Sequence, residues 1–134
     1  MGKGWTTIGQ SKRLVEAGLD LDTADMTYRK WKTEWSAECT PYSYYLQPDD
    51  DGGKFPLEFV KPCWSLGRLI DLMQRKIQFK GYDCYFHLED YDESEFEIEY
   101  HCSAKGMTLK WWHGESLVDI CVDALCWQFT TNIQ

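Results

Sequence analysis

The stretch Pro62-Cys63-Trp64-Ser65-Leu66-Gly67-Arg68-Leu69-Ile70-Asp71-Leu72-Met73 is the most completely specified piece of this chain. Proline cannot continue an element that needs its amide, so Pro62 stops whatever precedes it. Ser65 is a preferred N-cap, whose hydroxyl accepts one of the orphan N–H groups of a helix start. Trp64 then falls at N′ and Leu69 at N4, the pair that forms a hydrophobic staple. Leu66, Leu69, Ile70, Met73 and Ile77 recur at helical spacing and make one apolar face. The spacing predicts a helix ending near Arg75 and Lys76, whose charges suit the negative end of its dipole. Mixed, strand-like sequence precedes it and an alternating block follows, which makes it the hinge of the fold. Within it only Arg68 has no packing reason.

Downstream, Tyr82, Cys84, Phe86 and Leu88 alternate with polar residues, as do Phe96, Ile98, Tyr100 and Cys102, and then Met107, Leu109 and Trp111. Period two with one polar side marks an antiparallel three-stranded meander buried on one face. Matching the apolar faces sets Phe86 opposite Ile98 and Tyr100 opposite Leu109. The outer face then carries Tyr85, Glu99 and Lys110 in one row and His87, Glu97 and Trp112 in the next. Strict alternation turns Trp111 inward and leaves Trp112 exposed, the kind of anchor an interface uses. From about Glu115 to Thr130 the apolar residues go almost all the way round, leaving Glu115, Asp119 and Asp123 as a narrow, solvated stripe; such a helix is buried on several sides.

Upstream, Thr7 and Gln10 have capping-box spacing, and Gly18 with Leu19 fits a Schellman ending. Met26 to Trp35 reads as a half-covered or edge strand and Tyr42 to Leu46 as a second, paired with it as a hairpin. Arg29, Lys30 and Lys32 around Trp31 interleave basic and aromatic residues, a pattern able to hold a phosphate and stack a base. The same charges also discourage edge pairing. Asp49-Asp50-Asp51 sits in a Gly-rich loop; three acids without further ligands make a solvated turn. Asp20 to Asp25 lacks the glycine and closing glutamate of a calcium loop.

Of the 134 residues, 43% are hydrophobic and 16% aromatic, enough for one folded domain, 1–134, with a helix and hairpin in 1–61 and the core in 62–134. No apolar run approaches the roughly 20 residues of a membrane span. The N-terminus has no apolar signal core, so a cytoplasmic site of action is expected. The six cysteines lack zinc or C-x-x-C spacing, and reduced core thiols are the expectation. The net charge of −8 is uneven: residues 1–80 hold 12 Lys or Arg against 11 Asp or Glu, and residues 81–134 hold 2 against 11. That field repels nucleic acid and attracts a basic partner surface, or simply keeps the protein dissolved.

No nucleophile elbow, phosphate loop or H-E-x-x-H is present. No catalytic residue, metal ligand or cofactor is therefore expected. His87 beside Glu97 is the one base-like pair, which leaves a small hydrolase as a third reading. Candidates for partner or ligand binding are Trp112, Glu97, Glu99, Tyr85, His87, Arg29, Trp31, Lys32 and Arg68.

Three segments carry a resemblance: residues 10–20 with Thr23-Ala24-Asp25-Met26, residues 62–73, and Ser116-Leu117-Val118-Asp119 with Ala124-Leu125-Cys126-Trp127. Together they resemble short uncharacterised proteins of phages and mobile elements of gut bacteria. In its order of helix, meander and helix, residues 65–130 resemble double-stranded-RNA-binding domains and HicB-type antitoxins. The former need Lys or Arg where this chain has Glu115 and Asp119. The expectation is a single α+β domain that acts as a non-catalytic accessory protein. It binds a host or partner protein, and an inhibitor of bacterial immune defence is the concrete form of that role. The alternative is a binder that sequesters a nucleotide-like signal, its phosphates on Arg29, Lys30, Lys32 or Arg68 and its base on Trp31 or Trp112. A homo-oligomer stays open.

Overall fold

The computed structural model describes residues 4–48, 52–92 and 95–131. It is an α+β fold of two antiparallel sheets joined through helices. The Asp49–Asp51 loop lies outside the described residues.

Local signals place the helix starts. In α1, Ile8–Ala17, the Thr7 hydroxyl accepts the Gln10 N–H and the Gln10 side chain accepts the Thr7 N–H, a complete capping box. Gly18 ends the helix at φ 114°, and the Gly18 and Leu19 amides donate back to Leu14, the Schellman geometry.

The first sheet has the order β2-β1-β3, with β1 at Met26–Trp31, β2 at Glu34–Glu38 and β3 at Val60–Cys63. This corrects the expected hairpin. The residues read as one strand, 26–35, fold back on themselves through a tight turn in which Lys32 takes φ 58°. No glycine or asparagine marks that turn, which hid it. Tyr42 to Leu46 is not a strand: after Pro41 the chain makes the short helix α2, Ser43–Leu46, which buries Tyr45. Pro62 lies within β3 opposite Thr27, allowed because β3 is an edge.

The helix of the opening stretch, α3, spans Leu66–Leu72 with Ser65 as N-cap. Trp64 and Leu69 are both fully buried in the main core, as the staple positions require. Asp25 fixes the cap: it accepts the Ser65 N–H at 2.9 Å and the Ser65 hydroxyl at 2.5 Å. The helix ends before Ile77. Lys76–Phe79 is a strand, β4, joined to β5, Tyr82–Asp92, by Lys80 and Gly81 at φ 52° and 82°. Positive φ at both central residues is the twist-matched hairpin turn. Arg75 and Lys76 therefore lie beyond α3, and the expected three-stranded meander has four strands, β4-β5-β6-β7, with β6 at Glu95–Cys102 and β7 at Met107–Gly114.

The inner and outer faces of β5 and β6 are as the alternation requires, but the register is shifted. Tyr100, not Ile98, stands opposite Phe86, and Leu88 faces Ile98. Between β6 and β7 the pairing slips at Tyr100 and His101, so that Lys110 faces Tyr100 and Thr108 faces His101, with Leu109 as the extra residue of a β-bulge. One inserted residue reverses every later side chain. Trp112 turns inward, with its ring 5.3 Å from that of Trp127, and Trp111 turns out.

The last helix, α4, spans Leu117–Thr130 and packs on the inner sheet face, on α3 and on α1. Its buried Gln128 accepts the Gln74 N–H at 3.1 Å and lies 3.0 Å from the Tyr100 hydroxyl, which is also 2.8 Å from the Gln74 carbonyl. That triad ties the α3–β4 connection to the sheet and to α4. The acidic stripe of α4 is more than a solvated face. Gln10 donates to Asp119 and Arg13 pairs with Asp123 at 2.9 Å, which docks α1 on α4.

Candidate binding face

The outer face of the four-stranded sheet is where the structure gathers the polar and aromatic residues that the core does not use. Alternation assigns the side chains and the register sets the rows. Tyr85 faces His101, which faces Thr108. His87 faces Glu99, which faces Trp111, and Glu89 faces Glu97, which faces His113. The expected rows are thus both replaced: Lys110 and Trp112 leave this face, and Trp111 and His113 join it. All three histidines of the chain, His87, His101 and His113, stand on this one face, a gathering that the expected register does not show.

The face is acidic and open. Asp83, Glu89, Glu95, Glu97 and Glu99 lie on it, with Lys76 at its β4 margin. Tyr85, Tyr91 and Trp111 are exposed, Trp111 by 54%. The Tyr91 hydroxyl donates to Glu97, and that carboxylate raises the phenol to about 12. Thr108 Oγ1 lies 3.3 Å from Glu99, and the Trp111 ring lies 5.5 Å from that of His113.

Tyr85, His87, Glu97 and Glu99 of the expected candidates belong to this face. His87 and Glu97 are not opposite one another, so the proposed base pair is not formed as a cross-strand couple. Trp112 is half-buried on the other side. The basic candidates fall elsewhere. Arg29 holds its guanidinium 5.7 Å from the Phe55 ring centre, Trp31 is 73% exposed and Lys32 occupies the turn of the first hairpin. Arg68 does have a structural role: its Nε donates to the Thr23 carbonyl at 2.8 Å.

A cavity of about 530 Å³ opens beside that hairpin, lined by Tyr44, Tyr45, Pro48, Lys54, Phe55 and Pro56 among others. Among the described residues, no group of three or more His, Cys, Asp or Glu side chains is placed to hold a metal ion. Burial pushes the thiols of Cys63, Cys84 and Cys121 up, to about 11, 12 and 12, the direction opposite to nucleophilic activation. No helix among the described residues is long and apolar enough to cross a membrane. Compared with protein-family models, with curated proteins and with solved structures, the chain matches none.

Proposed function

We propose that this protein is a non-catalytic interaction protein that binds a basic partner protein through the outer face of its four-stranded sheet, in the cytoplasm. The carrying observation is the composition of that face: among the described side chains, five carboxylates and three exposed aromatic rings on a surface with its helices packed on the opposite side. Carboxylates steer a cationic surface into contact, and exposed indole and phenol rings then give arginine or lysine a plane to stack on. The same field disfavours a phosphate backbone. The resemblance to phage and mobile-element proteins gives the role its context, inhibition of a bacterial immune protein.

Capture from bacterial lysate tests this reading when run with two variants beside the wild type. Trp111→Ala and Glu97→Lys/Glu99→Lys are each expected to abolish retention of one dominant basic protein, and added salt to weaken it. Retention unaffected by both variants overturns the assignment of the face.

The cavity at Tyr44, Lys54 and Phe55 favours a second reading, a site for a nucleotide-like anion, with Lys54 at the phosphate and the tyrosine ring at the base. A thermal upshift with a nucleotide, lost in Lys54→Ala, supports it; a flat response to a nucleotide panel removes it.

A further inference from the structure

β7 is the last strand of its sheet, so one row of its backbone N–H and C=O groups has no ladder partner among the described strands. Edges of this kind are usually blunted by charge. Here such blunting is sparse: residues 81–134 carry 11 acids, yet Met107–Gly114 has none and a single lysine, Lys110, which with the Leu109 bulge leaves Lys110 to Gly114 as a regular, nearly uncharged edge. The strand displays Trp111 and Met107, the latter 46% exposed. The bulge lies at Leu109, and the pairing from Lys110 to Gly114 is regular.

We propose that a second copy of this chain pairs on this edge, β7 against β7, antiparallel about a two-fold axis at Trp111. Antiparallel partners share a face, and this register obeys that rule. Trp111 meets Trp111 on the outer side, and Lys110 meets Trp112 of the second copy on the inner side. The only charge on the strand thus falls against an indole, a cation–π pairing, and no carboxylate meets a carboxylate. The acids of β6 do not oppose the contact. From β6 of one copy to β6 of the other is three strand spacings, about 14 Å, beyond the Debye length of about 8 Å at physiological salt. The contact is isologous and closes on itself. It joins the two four-stranded sheets into one, with both Trp111 side chains at its centre.

Sedimentation and light scattering over a wide concentration range read the result directly. The wild type is expected to pass from 15.8 kDa to twice that mass as concentration rises. Trp111→Lys sets two ammonium groups across the axis and is expected to raise the dimer Kd about a hundredfold or more, the scale for loss of a central interface tryptophan. Its circular dichroism should match the wild type, since Trp111 is outside the core. Trp111→Cys is expected to cross-link two chains under mild oxidation, because directly opposed residues meet the Cα spacing of a disulfide. The wild type, with exposed Cys39, is the background for that reaction. A wild type that stays monomeric throughout overturns the proposal. So does a dimer that Trp111→Lys leaves intact and Trp111→Cys does not cross-link. Either failure leaves the partner-binding reading to its own test.

Discussion

Asp25 joins two parts of the chain that lie forty residues apart in sequence, and its removal has a calculable effect. Its carboxylate receives both the Ser65 N–H and the Ser65 hydroxyl, while Ser65 Oγ caps α3 by accepting the Arg68 N–H at 3.2 Å. A hydrogen bond to a charged group contributes about 1.5–3 kcal/mol, and Asp25 is half-buried, so the lower end applies. Asp25→Ala should therefore cost about 2–4 kcal/mol, a large share of the 5–15 kcal/mol typical of a folded domain. Asp25→Asn keeps a neutral acceptor for the Ser65 amide and should cost about half as much. Urea unfolding followed by tryptophan fluorescence reads both, as a midpoint lowered by about 1–2 M for the alanine variant at an unchanged slope. A cycle with Ser65→Ala isolates the carboxylate–hydroxyl bond, with an expected coupling of about 1 kcal/mol. An alanine variant costing less than about 1 kcal/mol, or an asparagine variant costing as much as alanine, would refute the reasoning.

Three further outcomes follow from the geometry. In the same assay, run at a protein concentration low enough to keep the wild type monomeric, Trp112→Ala should cost about 2–4 kcal/mol and Trp111→Ala less than about 0.5 kcal/mol, because only the former packs on Trp127; equal costs would contradict the bulge. Arg13→Ala should cost less than about 1 kcal/mol, and the difference from wild type should vanish in high salt, because the Arg13–Asp123 pair is exposed on both sides. Stability should fall in alkali. Burial raises the folded-state thiols of Cys63 and Cys121 from 9.0 to about 11 and 12, so the stability that they contribute is whole below pH 9.0 and is lost as pH rises toward those values. Cys121→Ala should flatten that slope, measured as the urea midpoint from neutral pH upward.

What the sequence disclosed divides by the range of the signal. Thr7 with Gln10, Gly18 with Leu19, and Ser65 are caps, whose geometry is settled within a few residues, and each stands as its residue types require. The inner faces of β5 and β6 were equally legible, because alternation is local. Register is not. The two-residue shift of β5 against β6 preserves both faces, so no hydrophobic pattern selects between the two alignments. Ile77 continues the four-residue spacing from Met73 and reads as helix, yet the Gln74–Gln128–Tyr100 contacts pull the chain away into β4. The turn at Lys32 and the bulge at Leu109 have no glycine to announce them. The candidate face is therefore visible in the sequence as a set of acids, while strict alternation puts Trp112 on it in place of Trp111.

The bulge at Leu109 also bears on how such a surface varies. A β-strand has phase as well as sequence, and here the phase is set by one supernumerary residue. Substitution at Trp111 or Trp112 changes a side chain but leaves each position on its own side. Gain or loss of a single residue beside Leu109 exchanges the two indoles, moving one from solvent to core and the other from core to solvent. The identity of this face is thus tied to the length of the chain between Cys102 and Trp111, and insertions and deletions there reshape it in a way that point substitution cannot.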